Sequence, residues 1–377
     1  MGIYTVHSDV AFDKRISNDI DILVKNVLSG IKGVRSIYLC GGFGRGEGSV
    51  LKKDHHIQPI NDYDLVVFND KKESNYNLDR IRSDLSKLCR IRQVDISVIH
   101  HKSISSLNFS MHNYDLIYAS KLIYGKQEEA FKEIVWDPSK LPLKEGLTPL
   151  FLFLSSILKP FPIKESLSDQ EVFWSYHQIC KSILGWSTAQ LVFEHAYVPS
   201  YAKRYETYQQ IFSNDEKACS LVNKATQFKL SPNLRPCNEV ELQNIWNLAK
   251  TKHLEILISL LGKFYGKNQI EFESLTWKHF NSISSIAKRL LSFLARKHHY
   301  GDCLNIDMSK LFLLLSIENN NDITYLQNSI SHLKKIRGTR INFEKINLTP
   351  EEINQVILKA DPNSEHFLSK GNKIFYD

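Results

Sequence analysis

No stretch of eighteen uninterrupted apolar residues occurs in the 377-residue chain, so nothing in it reads as a membrane-spanning helix. The most apolar window, 147–161, is broken by Pro149 and Pro160 and is expected to be a buried helix or bend. Cysteine is sparse and scattered. Cys40, Cys89, Cys180, Cys219, Cys237 and Cys303 include no C-x-x-C pair and no histidine at ligand spacing. That pattern argues against a zinc site or a disulfide framework and for reduced, packed thiols. Internal repeats and low-complexity tracts are absent. The first fifteen residues lack the charged-then-apolar order of a signal peptide, and Val6 spoils a myristoylation pattern. The expectation is a cytoplasmic protein without a membrane partner. Strong one-sided charge is missing too: the net charge is +7, and the lysines form no concentrated arm. Such a mild excess favours an anionic ligand such as a nucleotide and leaves RNA open.

Glycine is also scarce, at sixteen residues, yet five of them fall between Gly41 and Gly48 in "GGFGRGEGS". A glycine-rich turn directly after an apolar run usually brings backbone close to a phosphate. Two familiar phosphate loops are excluded by spacing. No start point supplies glycines at relative positions 1, 3 and 6, and Gly46 is followed by Glu47 where a Walker loop needs lysine.

The surrounding pattern is mixed. Residues 12–31 put Ile16, Ile20, Leu23, Val24, Val27 and Leu28 on one helical face. Strands are expected at 34–40, 62–70 and 92–100, with a helix at 77–88 turning Leu78, Ile81, Leu85 and Leu88 inward. The polar insertion at 50–61 reads as a surface loop, and His55 and His56 as solvated. From Asn113 strand signals fade. Residues 113–126 look like a helix ended by Gly125, and helices are expected at 171–195, 239–265, 275–298 and 322–336, with a last one starting near Thr349. Proline concentrates at 138–149, which places a boundary between a head (1–140) and a helical body (141–377), with a shorter break at 231–238. The fold class expected is α+β: a small mixed-sheet head followed by an all-helical body.

Asp62 and Asp64 lie two apart on an expected strand, so their side chains leave the same face with Cα atoms roughly 7 Å apart. Neighbouring carboxylates repel unless a cation sits between them. Asp95 interrupts the apolar "VDISVI", where a lone carboxylate is costly. If that strand lies beside the second, three hard oxygen donors converge next to the glycine loop, a set suited to Mg²⁺. Two such ions would orient an attacking hydroxyl and stabilise a leaving pyrophosphate.

The order "GGFGRGEGS … DYDLVVF … VDISVI" resembles the DNA polymerase β-like nucleotidyltransferase superfamily over roughly residues 30–125, about a quarter of the chain. Its glycine loop is similar to that of protein-PII uridylyltransferases, and its head-then-helices order resembles the minimal, aminoglycoside-type nucleotidyltransferases. The resemblance implies that Gly41 and Gly42 let backbone approach a nucleoside triphosphate, with ATP the expected one. It also implies that Asp62, Asp64 and Asp95 hold Mg²⁺ (or Mn²⁺), and that Asp95 assists an acceptor hydroxyl. Arg45 is a candidate phosphate contact, balanced against simple pairing with Glu47 or Asp62; Ser49 is a further candidate. The segment "YVPSYAKRYETY" resembles the one that follows the long helix in minimal nucleotidyltransferases, which makes Lys203 or Arg204 a candidate phosphate ligand, with Lys181 behind them.

The departure from the family pattern is the long spacer from Gly42 to Asp62. The acceptor expected is a small hydroxylated molecule, with a protein side chain, a tRNA end or a second nucleotide as alternatives. A silent nucleotide sensor on the same fold is the non-enzymatic alternative. The basic segments 296–299 and 334–340 read as cations at helix ends rather than an RNA-facing patch.

Overall fold

A computed structural model of the chain describes residues 2–53, 56–71, 76–160 and 166–266. The helices expected at 275–298, at 322–336 and after Thr349, both late basic segments, Cys303 and His55 lie outside the described residues.

The chain opens with helix α1 (Val10–Gly30), started by Asp9, whose carboxylate accepts from the Ala11 amide. Ile16, Ile20, Leu23 and Val27 recur at helical spacing and are all buried. Strand β1 (Val34–Leu39) then runs into α2 (Gly41–Gly44), a single helical turn. The insertion forms a hairpin, β2 (Val50–Lys53) with β3 (His56–Pro59), which corrects the surface-loop expectation. Val50, Leu51 and Ile60 are buried, so its apolar positions face protein while Lys52, Lys53 and His56 stay exposed. Next come β4 (Tyr63–Asn69), α3 (Leu78–Leu88) and β5 (Val94–His100), followed by a 3-10 turn at His101–Ser106. Leu88 does not turn inward: it is exposed, and Cys89, four residues after buried Leu85, fills the inward position.

The expected helix at 113–126 is two elements. Helix α4 (Met111–Ala119) stops at Ser120, whose backbone is extended, and β6 (Lys121–Gly125) pairs with β1. The free edge of β1 supplied a hydrogen-bonding partner that a pattern of side chains could not reveal. Gly125 ends β6 at φ +84, and a Cβ there would lie 2.0 Å from the Arg35 carbonyl oxygen, so the residue must be glycine.

The four-stranded sheet has the order β5-β4-β1-β6. Strands β4 and β5 are parallel, and β1 is antiparallel to both β4 and β6. Alternation decides the two faces. Ile37, Leu39, Leu65 and Val67 pack beneath α1 and α3. Tyr38, Val66 and Phe68 pack on the opposite side with Ile104, with Leu116 of α4 and with Phe131 of α5 (Ala130–Glu133).

Beyond a 3-10 turn at Pro138–Lys140 the described residues are helical: α6 (Lys144–Leu152), α7 (Leu154–Leu158), α8 (Asp169–Phe193), α9 (Tyr201–Ile211), α10 (Glu216–Leu230) and α11 (Glu239–Tyr265). The break expected at 231–238 separates α10 from α11. Helix α8 is the hub, in contact with α6, α7, α9, α10 and α11, and it is buried nearly all round. Leu51 and Ile60 of the hairpin segment belong to this helical core rather than to the head. No described helix is long and apolar enough to cross a membrane.

Candidate functional site

The glycine loop folds as one helical turn closed by Arg45 N–H to Gly41 O, then reverses through Gly46 at φ +76. Gly41 itself sits at φ +62, and a Cβ placed there would fall 2.1 Å from Oδ2 of Asp64. The backbone of the loop therefore lies directly against one of the carboxylates singled out in the sequence.

Strand β5 does lie beside β4, in parallel, with Asp64 and Asp95 as registered partners. Asp62 immediately precedes β4. The three charges act on one another. Burial pushes the Asp64 carboxyl up to about 7, helped by Asp62 and Asp95 and opposed by Lys229 and Arg45. Burial also raises Asp62, with Asp95 adding to it and Lys181, Arg92 and Lys229 working against it. Asp95 accepts two 2.8 Å hydrogen bonds from the Gln93 amide, one on each oxygen. Among the described residues no three His, Cys, Asp or Glu side chains form a ready-made metal cage. The donor chemistry still fits a hard divalent cation: Asp62 and Asp64 are half-buried carboxylates held above their usual range in part by like charge, and a cation between them removes that repulsion. Asp62, Asp64 and Asp95 are the residues that could hold it.

Arg45 does what its pairing alternative described, with a different second acid. Its guanidinium lies 3.5 Å from Glu47 and 3.2 Å from Asp115, and stacks 5.2 Å over the Tyr201 ring. It nevertheless also lines the cavity described below. Glu47, buried at 2 % exposure, reaches across to the helical body. It accepts from the Ser200 hydroxyl at 2.8 Å and from the Tyr201 and Ala202 amides at 2.9 and 3.2 Å, which satisfies the first turn of α9. Ser49 donates its hydroxyl to the Lys229 carbonyl, and its amide is held by Asn61 at 2.7 Å. Both loop side chains thus fasten head to body.

Next to the carboxylates lies a cavity of about 390 Å³ between the two parts of the chain. Gly41, Arg45 and Ser49 line its head side, and Lys181, Arg204 and Lys229 its body side. Gly42 is buried behind the loop. Arg204 is positioned by the Val198 carbonyl at 2.6 Å and the Tyr197 hydroxyl at 2.7 Å. Lys203, one residue earlier, is exposed and does not line this cavity. Lys181 has its amine pushed down to about 8, first by burial and then by Lys229, Arg92 and Lys159, against the pull of Asp62.

Four residues of this region were not singled out by sequence reasoning: Lys229, Asp115, His177 and Glu47 in its bridging role. For Lys229 a signal existed. It stands four residues after Ala225 and seven after Val222, on the buried stripe of α10, where a lysine needs a reason. Asp115 and His177 carried no such mark, because nothing in the chain announces that α4 and α8 face the same cavity.

Compared with protein-family models and with curated proteins, the chain matches none.

Proposed function

We propose that the chain is a divalent-metal-dependent nucleotidyltransferase of the polymerase β-like kind, which moves a nucleoside monophosphate from an NTP to a hydroxyl group. The acceptor oxygen attacks the α-phosphorus, the bond to the bridging oxygen breaks, pyrophosphate departs, and the hydroxyl proton passes to the Asp95 carboxylate and from there to water. The observation that carries this reading is the in-register pair Asp64 and Asp95, with Asp62 just ahead of it, against the bare backbone of Gly41. A bound Mg²⁺ would supply positive charge to the phosphates of the donor. Asp62 and Asp64 would bind it, Asp95 assists the acceptor hydroxyl, Gly41 admits the phosphates, and Lys181, Lys229 and Arg204 supply positive charge to the cavity beside them. The expected acceptor is a small molecule.

Incubation with each labelled NTP, Mg²⁺ and a cell extract tests this. Label should pass to an acceptor with release of pyrophosphate, and Asp95→Asn should abolish transfer without changing the far-ultraviolet circular dichroism. Turnover like that of the unmodified chain in Asp95→Asn would sink the assignment.

A further inference from the structure

The cavity holds more than the transferase reading uses. His177 of α8 lines it, is only 8 % exposed, and its Nδ1 has no hydrogen-bond partner. Buried ring nitrogens are seldom left unpaired, because the desolvation cost is then uncompensated. Burial, followed by the nearby charges of Lys181, Lys229, Arg92 and Lys159, pushes its pKa well down, so the imidazole is neutral. A hydroxyl group both donates and accepts, and so satisfies Nδ1 in either tautomer. Phe228, 6.4 Å from the imidazole between ring centroids, adds apolar surface to the same wall.

Charge sets the second requirement. Lys181 and Lys229 make no side-chain hydrogen bond or close ion pair among the described residues, and Arg204 faces the same space. The one described carboxylate in the lining, Asp115, is already taken: Tyr197 donates to Oδ1 at 2.8 Å and Arg45 to Oδ2 at 3.2 Å. An ammonium-bearing ligand therefore finds no free acid here, whereas a phosphate or carboxylate finds the two lysines, with Arg204, held by Val198, Thr188 and Tyr197, adding its charge beside them. The volume of about 390 Å³ lies in the range of small-molecule sites.

We propose that this cavity is the acceptor site, and that it takes a small hydroxylated molecule bearing a phosphate or carboxylate. A hydroxyl of that molecule bonds His177, and its anionic group faces Lys181, Lys229 and Arg204. The word acceptor rests on the transferase reading; the binding does not. The same cations could instead serve only the phosphates of the NTP, so the test separates those two sources of anion.

Isothermal titration of the full chain with Mg²⁺ would use glucose 6-phosphate, glucose and glucosamine, each alone and with saturating α,β-methylene-ATP. Glucose 6-phosphate should bind at least tenfold more tightly than glucose, glucosamine should not bind, and the ATP analogue should leave the sugar phosphate in place. His177→Phe should weaken glucose 6-phosphate about tenfold, the effect of one lost hydrogen bond, with affinity for the ATP analogue unchanged. His177→Gln, which keeps a hydrogen-bonding group, should fall between. Displacement of the sugar phosphate by the ATP analogue would overturn the proposal, as would glucosamine binding equal to that of the phosphate. Failure of all three sugars to bind would overturn it as well, and these measurements need no variant to fold. Retained sugar-phosphate binding with no nucleotidyl transfer under any NTP would refute the transferase reading alone.

Discussion

Glu47→Ala is the sharpest perturbation the structure offers, because one buried carboxylate satisfies three donors at the start of α9. Its Oε1 accepts from the Ser200 hydroxyl and the Ala202 amide, and Oε2 from the Tyr201 amide, while Arg45 lies 3.5 Å from Oε2. Removing the carboxylate leaves those donors without a protein acceptor at a part-buried site. Arg45 keeps Asp115, so the charge left behind is not stranded. At about 1 kcal/mol for each lost hydrogen bond, the expected destabilisation is about 2–4 kcal/mol. Glu47→Gln keeps one oxygen, hence the two bonds made by Oε1, and should cost only about 1 kcal/mol. Urea unfolding followed by tryptophan fluorescence reads this directly, since Trp174, Trp186 and Trp246 lie in the helical core that α9 joins. In the double variant with Ser200→Ala the two effects should fall short of additivity, because they share one bond. A Glu47→Ala loss below 1 kcal/mol, or a Gln variant as unstable as the Ala variant, would refute the account of Glu47 as the latch.

Gly41→Ala must place a Cβ 2.1 Å from Asp64 Oδ2 at φ +62, so it should lose about 1–3 kcal/mol and nearly all nucleotidyl transfer; an unchanged melting point would contradict the geometry. For Asp64 the folded carboxyl titrates near 7 against an ordinary value near 4, so the folded chain holds the extra proton between those values and stability falls as pH rises through them. Asp64→Asn cannot ionise, and in EDTA its stability relative to the unmodified chain should improve by about 1–3 kcal/mol from pH 5 to pH 8, measured by thermal melting. A constant difference across that range would remove the repulsion argument. Lys181 titrates at about 8, below its ordinary range, so its charge leaves as pH passes that value. Affinity for glucose 6-phosphate should therefore drop between pH 7 and pH 9, and Lys181→Arg should flatten the profile. Mg²⁺ should raise the melting temperature of the unmodified chain and have little effect on Asp62→Asn, because only a site with both carboxylates relieves the repulsion.

What could be read along the chain was whatever local periodicity encodes. The stripe Ile16, Ile20, Leu23, Val27 marks α1, and the β-branched run around Val66 marks β4, because burial of one face repeats at the spacing of the backbone. Asp62 and Asp64 stood out for the same reason, two charges at strand spacing. The misses are all matters of tertiary partnership. "KLIYG" is a strand because β1 had a free edge, and Leu51 is buried because the hairpin meets the helical core. Lys203 and Arg204 are adjacent in sequence, yet the turn of α9 sends only Arg204 to the cavity. Sequence distance hides Lys229 and His177 from the glycine loop altogether.

The way head and body meet explains why those misses fall where they do. Within each part the contacts are mainly apolar, and apolar surfaces are roughly tolerant of sliding because their energy follows area rather than direction. Across the cavity the connections are directional instead: Glu47 to the first turn of α9, Ser49 to the Lys229 carbonyl, and Arg45 through Asp115 to Tyr197. Each bond fails if the partner moves by more than a fraction of an ångström, since hydrogen-bond strength falls steeply with distance and angle. Gly41 is thereby held at a set distance from Lys229, and Asp64 from Lys181, more closely than the apolar contact of Leu51 and Ile60 with the helical core would enforce. A phosphate loop held only by its own strand could not guarantee that spacing. Loop side chains that look like phosphate ligands in the sequence are thus engaged as fasteners, and the charges facing the cavity come largely from the helices those fasteners position.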